Sequence, residues 1–105
     1  MDKYILKDRN PVVCDSLEKW AQWFEHHAEE RKVGKTTVSG VFVSTVFIGL
    51  DHSFGNGKPI VFETIAFGRK NRSLAQERYS TWAEAEAGHK KMVEAFTLKN
   101  AGGKR

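Results

Sequence analysis

The most apolar stretch of the chain, Val38 to Gly68, does most to limit how the chain can fold. From Val41 to Gly49 the side chains alternate between two faces. One face carries Val41, Val43, Thr45 and Phe47, and the other carries Phe42, Ser44, Val46 and Ile48. A strand that is apolar on both faces is typical of a central position in a sheet. A glycine-rich loop over residues 51–58 and a return strand over Ile60–Phe67 complete a predicted β-hairpin.

Two amphipathic helical segments flank this hairpin, and each needs it to bury an apolar stripe. The first is predicted to begin at Asp15, which forms a capping box with Glu18, and to end at Gly34. Its stripe comprises Leu17, Trp20, Ala21, Phe24 and Ala28. The second is predicted to begin at Thr81, with Glu84 completing another capping box. Its stripe comprises Trp82, Ala85, His89, Met92, Val93 and Phe96.

Gly88 lies inside the second helical segment, where glycine costs about 1 kcal/mol relative to alanine. Close approach to a neighbouring backbone would explain a glycine at this position. We therefore expect the second helix to be packed tightly there.

Shorter runs supply the remaining strands of the predicted fold. Tyr4–Leu6 and Val12–Val13 flank a turn and predict an N-terminal hairpin, Val33–Val38 predicts a further strand, and Arg78–Tyr79 a short one. The sequence predicts a two-layer α+β fold, with an antiparallel sheet of about four to five strands and both helices on one face. The opposite face, which carries Phe42, Val46 and Ile48, is too apolar to be left to water and would be covered by a homodimer contact, a partner protein or the N-terminal hairpin.

Length and composition restrict the class of protein. We expect residues 1–99 to form a single domain and residues 100–105 a flexible basic tail. Seventeen basic and 13 acidic residues give a net charge of +4, which permits a nucleic-acid or acidic partner without requiring one. Cys14 is the single cysteine, so neither an intrachain disulfide nor a thiolate metal cluster can form. The chain has no signal region or membrane span, so we expect a cytoplasmic protein without a membrane partner.

Several separated blocks carry a resemblance to a known group of proteins. They are VSTVFIGLDHSFG, PIVFETIAFG and QERYSTWAEAEAGH, together with Tyr4–Leu6, Pro11–Val12 and the run from Trp20 to Glu25. In these blocks the chain resembles a family of small uncharacterised bacteriophage and prophage proteins, over about residues 4–95. The resemblance implies a phage origin and a bacterial host cytoplasm. It brings no activity and no functional residue.

Four polar residues are candidates for a metal or acid–base site: Asp51, His52, Glu63 and His89. Carboxylate and imidazole groups suit zinc or iron, but no diagnostic ligand spacing is present. The favoured interpretation is structural. Asp51 would brace its loop, Glu63 would pair with a basic residue or face solvent, and His89 would be a hydrogen-bonded, half-buried histidine. We assign no catalytic residue, metal or cofactor.

Basic and aromatic residues supply the candidates for binding. Arg69, Lys70 and Arg72 form a basic loop, and Arg78 follows it; these residues would face phosphates. Tyr79 and Trp82 lie nearby in sequence and would stack on bases. A solvated loop is the favoured alternative. Trp23 is the tryptophan expected to be partly exposed and to contribute to a protein interface.

These observations lead to three functional hypotheses. The favoured one is a small, phage-derived, cytoplasmic binding protein without enzymatic activity, which engages a host or phage protein, for example as an inhibitor of a host factor. The second is a nucleic-acid or nucleotide-binding module that uses the Arg69–Arg72 loop. The third is a small metalloprotein or enzyme at Asp51, His52 and His89. A homodimer through the sheet stays open.

Overall fold

The computed structural model describes residues 2–53 and 57–102, with side chains in the last helix as far as residue 97. Six strands and two helices follow one another as β1 (Tyr4–Lys7), β2 (Asn10–Val13), α1 (Leu17–His26), β3 (Lys32–Val38), β4 (Val41–Phe47), β5 (Phe62–Phe67), β6 (Ser73–Tyr79) and α2 (Trp82–Gly102). Strands β1 and β2 form a two-stranded sheet, and β3 to β6 form a four-stranded antiparallel meander in chain order. The predicted α+β class is confirmed.

The central hairpin has the predicted alternation of faces. Along β4 the buried residues are Val41, Val43, Thr45 and Phe47, while their neighbours are more accessible. The turn before this strand uses Ser39 and Gly40, with φ of 49° and 79°, as a tight two-residue hairpin requires. In the register across the hairpin, Phe42 is paired with Phe67 and Thr45 with Thr64.

The core lies on the side of the four-stranded sheet that α2 covers. One apolar cluster joins Leu6 of β1 to Phe47, Val61, Phe62 and Ala85, with Trp23 and Phe24 of α1 packed against it. A second cluster comprises Val41, Val43, Ala66 and Met92. The N-terminal hairpin and α1 therefore pack on the same side of the sheet as α2. The hairpin does not cover the opposite face, which removes one of the three predicted covers.

Helix α1 is shorter than predicted and begins one residue later. The N-cap is Ser16, whose hydroxyl accepts a hydrogen bond from the Lys19 backbone N–H at 3.1 Å. The helix ends at His26 because the next residue, His27, leaves helical geometry with φ of −125° and ψ of 36°. Ser16 and not Asp15 caps the helix, so the prediction of Asp15 as the cap was wrong. Leu17, predicted in the apolar stripe, is 66% exposed.

Gly34 is part of β3 and does not end a helix. A Cβ at this position would lie 3.0 Å from the imidazole ring of His89 in α2. A side chain at position 34 would press on this ring, which packs directly on the strand backbone. A contact between residues 34 and 89 cannot be deduced from local sequence patterns.

The N-cap assignment gives a direct stability prediction. Ser16→Ala is expected to lower the free energy of unfolding by about 1 kcal/mol, because the Lys19 N–H loses its side-chain acceptor. Asp15→Ala, the matched control, is expected to change it by less than about 0.5 kcal/mol. Urea unfolding of both variants measures the difference. A larger loss for the Asp15 variant would contradict the assignment.

The second half of the chain departs from prediction mainly in the length of its elements. Strand β6 spans Ser73–Tyr79, whereas only Arg78–Tyr79 was predicted. The Thr81–Glu84 capping box is confirmed, with each backbone N–H 3.1 Å from the other residue's side-chain oxygen. Helix α2 continues to Gly102, beyond the predicted domain end at residue 99, and residues 103–105 of the predicted tail lie outside the described residues. Neither described helix has the length and apolar content that crossing a membrane requires.

Candidate functional site

A chain of polar side chains crosses the core between the two apolar clusters, and we call it the polar layer. The Tyr79 hydroxyl donates to Thr64 Oγ1 at 3.1 Å, and Thr64 and Thr45 are joined through their hydroxyls at 2.5 Å. Thr45 Oγ1 lies 2.7 Å from His89 Nδ1, and His89 Nε2 lies 2.8 Å from Thr36 Oγ1. The polar layer therefore links all four strands of the large sheet to α2.

The polar layer is built into the core and is not open to a ligand. Thr45 and Thr64 are fully buried, and His89 is only 9% exposed. Burial lowers the pKa of His89, which favours the neutral ring. Both ring nitrogens already bond threonine hydroxyls, so the predicted hydrogen-bonded histidine is confirmed. We conclude that the polar layer holds α2 in register on the sheet.

The loop candidates Asp51 and His52 have structural contacts of their own. Asp51 Oδ1 accepts hydrogen bonds from the backbone N–H groups of Ser53 and Ile60, at 2.8 and 2.9 Å. These bonds hold the pKa of Asp51 below its usual value. His52 is half-buried and pairs through its backbone N–H with the Ile60 carbonyl at 2.9 Å. The predicted bracing role of Asp51 is confirmed; part of the glycine-rich loop, residues 54–56, lies outside the described residues.

Glu63 lies on the opposite side of the sheet from His89. Its carboxylate accepts hydrogen bonds from Gln76 Nε2 and from Arg78 Nε, the latter at 3.0 Å. The alternation in β5 buries Thr64 toward α2 and directs Glu63 away from it. The four predicted polar candidates are therefore not brought together. Within residues 2–53 and 57–102, no three His, Cys, Asp or Glu residues are grouped closely enough to hold a metal ion.

The side of the large sheet away from α2 carries a distinct surface, which we call the open face. Alternation and strand register place on it Lys35, Thr37, Phe42, Ser44, Val46, Glu63, Ile65, Phe67, Leu74, Gln76 and Arg78. Both helices and the N-terminal hairpin direct their apolar side chains to the other side of the sheet. Phe42 is 38% exposed and Leu74 46% exposed, so apolar area on the open face is accessible.

Two phenylalanines form an aromatic pair on the open face. Phe42 and Phe67 are directly opposite one another on β4 and β5. Their ring centroids are 6.4 Å apart, and the ring planes differ by 22°. The pair lies at the end of the sheet where the β3–β4 turn and the β5–β6 loop meet.

The β5–β6 loop supplies positive charge beside this aromatic pair. We use the name basic loop for residues 69–72, which begin with a 3₁₀ turn at Arg69–Asn71. The loop is closed by a hydrogen bond from the Gly68 N–H to the Arg72 carbonyl at 2.7 Å. A concavity of about 770 Å³ lies at this end, lined by Ser39, Gly40, Val41, Gly68, Arg69, Lys70, Arg72 and Leu74. The sequence-predicted cations Arg69, Lys70 and Arg72 are all exposed here.

Charge is distributed unevenly over the molecule. Residues 32–79, which form the large sheet and its loops, contain seven basic and three acidic residues. That surplus equals the net charge of +4 for the whole chain, so the remaining segments contain equal numbers of basic and acidic residues. Glu63, the acidic residue of the open face, is already paired with Arg78 at 3.0 Å. The open face and the basic loop together carry five basic residues and one acidic residue, namely Lys35, Arg69, Lys70, Arg72, Arg78 and Glu63.

The aromatic residues predicted to bind partners lie elsewhere. Tyr79 is at the far end of β6 from the basic loop, with its ring against Gly88. Trp82 packs edge-on against Phe62, centroid to centroid 6.1 Å, and the Arg9 guanidinium lies 4.7 Å from its ring centroid. Trp23 is half-buried and stacks on His27 at 4.7 Å. The aromatic pair Phe42–Phe67 was missed as a site, although strand alternation had placed Phe42 on the uncovered side.

Comparison of the chain with family models, curated proteins and solved structures gave no match. The resemblance to phage and prophage proteins stays a prediction.

Proposed function

We propose that this protein is a binding module without enzymatic activity that holds a macromolecular partner on its open face. The observation that carries the proposal is the aromatic pair of exposed Phe42 and half-buried Phe67, at the end of the sheet where the basic loop carries three exposed cations. An exposed apolar surface with aromatic and arginine side chains is typical of an interaction site.

The polar candidates support binding over chemistry. Asp51 bonds its own loop, Glu63 bonds Gln76 and Arg78, and His89 bonds two threonines. Each of these groups is engaged within the fold, and they lie on different sides of the sheet. A surface that combines apolar and positive side chains needs no such cluster in order to bind.

A second copy of the chain fits the open face poorly. A two-fold axis that passes near Lys35 or the basic loop would bring those cations of one copy close to the same cations of the other. Like charges brought together in an interface are unfavourable. The homodimer considered from the sequence is therefore the weaker candidate. A host or phage protein in a bacterial cytoplasm, the partner first expected, would need an acidic surface to match the loop.

Photo-crosslinking tests whether the open face is the binding surface. A benzoylphenylalanine at position 42 replaces one aromatic ring by another, and irradiation in a bacterial lysate should link the protein to a partner. The control places the same group at Glu94, an exposed residue of α2. We expect several-fold more adducts from position 42 than from position 94, whatever the chemistry of the partner.

Substitution of the basic loop provides the second arm of this test. The triple variant Arg69→Gln, Lys70→Gln, Arg72→Gln should reduce the adducts formed at position 42. Equal adduct yields from positions 42 and 94 would contradict the proposal. Nuclease and protease digestion of the adduct then show which class of macromolecule was captured.

A further inference from the structure

We infer that the partner of the open face is a single-stranded nucleic acid, with bases stacked on Phe42 and Phe67 and phosphates held by the basic loop. This inference rests on the proposed function and specifies its partner. Single-stranded nucleic acids are bound where aromatic side chains take bases and a positive surface follows the backbone. The open face and the basic loop offer both features at one end of one sheet.

The position of the aromatic pair suits base stacking. Phe42 and Phe67 lie on the two central strands, and their nearly parallel rings are stacked with centroids 6.4 Å apart, Phe42 being the more exposed of the two. A four-stranded sheet with aromatics on adjacent central strands is one of the ways in which proteins bind unpaired bases. Thr37 is directly opposite Phe42 on β3, and its hydroxyl is able to hydrogen-bond a base edge.

The basic loop is placed to meet the backbone of the same strand. It begins two residues after Phe67, and the concavity it lines is also lined by Leu74 and by the β3–β4 turn that leads to Phe42. The six residues of β5 give the face a length of about 20 Å. That length suits a segment of about four nucleotides, the lower end of the site sizes found in single-strand binders.

Charge and ring contacts together distinguish a nucleic acid from an acidic protein segment. An acidic segment would satisfy Arg69, Lys70 and Arg72 but would offer no regular series of flat faces to the rings of Phe42 and Phe67. Each nucleotide carries both a phosphate and a π face. A duplex would expose its phosphates while keeping its bases stacked inside, so it too would leave the aromatic pair unused.

Fluorescence anisotropy with labelled oligonucleotides of about 12 nucleotides tests the inference directly. Single-stranded DNA and RNA of mixed sequence are titrated with the full chain at about 50 mM salt, beside a duplex of the same length and a poly-glutamate peptide. We expect single strands to bind with a Kd of about 1–100 µM and more tightly than the duplex. Binding should weaken steadily as salt is raised.

Matched variants separate stacking from charge. The basic-loop triple variant should weaken binding at least about tenfold and reduce the log–log salt slope by about 2, since three phosphate contacts are lost. A control triple, Lys19→Gln, Lys90→Gln, Lys91→Gln, removes the same charge from exposed positions on the two helices and should change the affinity by less than about twofold.

Two substitutions on the open face test the role of the rings. Phe42→Leu keeps apolar volume but removes the π face, and should weaken binding at least about fivefold. Val46→Thr, on the same strand and face, removes apolar surface without removing a ring, and should leave binding of the oligonucleotide unchanged. Circular dichroism confirms that each variant is folded before it is titrated.

The outcomes separate this inference from the function on which it rests. Any one of three results overturns the nucleic-acid partner: an equal loss of binding in both triple variants, tighter binding of the duplex than of the single strand, or no binding at about 50 mM salt. Poly-glutamate binding that depends on the basic loop, with no oligonucleotide binding, identifies an acidic protein instead. In that case the crosslinks from position 42 still support the open face as the binding surface. Absence of those crosslinks would remove both proposals.

Discussion

Replacing Gly88 by alanine is expected to lower the free energy of unfolding by about 1–3 kcal/mol, as overpacking of a dense core does. Helix propensity alone predicts the opposite sign, because alanine is favoured over glycine by about 1 kcal/mol inside a helix. The structure decides the sign, since a Cβ on Gly88 would lie less than 3.0 Å from the Tyr79 hydroxyl and ring. Urea unfolding monitored by tryptophan fluorescence measures the change.

A double-mutant cycle tests whether Tyr79 causes this effect. Tyr79→Ala removes the atoms that the new methyl group would meet, so Gly88→Ala in that background should stabilise the helix. Lys90→Ala, an exposed change in the same helix, is the control and should alter the free energy of unfolding by less than about 0.5 kcal/mol. A stabilised Gly88→Ala single variant would show that the ring moves aside without cost.

Local patterns predicted much of the fold correctly. The alternation in β4 identified which residues face the core, and the Thr81–Glu84 capping box identified the start of α2. Both features depend only on residues close together in the chain. The end of α1 was predicted too late because a glycine after a helical pattern indicates a helix end, whereas Gly34 lies in β3 with the His89 ring packed on its backbone.

The candidate site depended on pairings that the sequence leaves open. Phe42 and Phe67 become neighbours only through the register between β4 and β5, and a long loop between two strands does not specify a register. The same pairing brings Thr45 next to Thr64 and thereby builds the polar layer. Glu63 and His89 were grouped as candidates from their chemistry, and only the direction of alternate side chains along β5 separates them.

Lowering the pH from 7.5 to 5.5 is expected to reduce the free energy of unfolding through His89. Burial lowers the pKa of this histidine in the folded protein, below the usual value of 6.5 that applies in the unfolded chain. Between these two values the unfolded chain binds more protons, so stability falls as the pH decreases. The loss begins near pH 6.5, continues through the folded-state pKa, and is at most about 1.4 kcal/mol per pH unit.

Two variants and one direct measurement assign this pH dependence to the polar layer. His89→Gln should lose the pH-dependent component, whereas His26→Gln, at an exposed position of α1, should retain it. The range stays above pH 5, where the lowered pKa of Asp51 keeps that carboxylate charged.

Should His89→Gln fail to fold, NMR titration of the His89 ring in the native protein supplies the same answer. The ring is expected to titrate below 6.5, because burial disfavours the imidazolium over the neutral ring. A native midpoint at or above 6.5 would mean that the cation is accommodated there, and stability would then not decline with falling pH. The pH response of the fold therefore reports whether α2 is held on the sheet by a neutral imidazole.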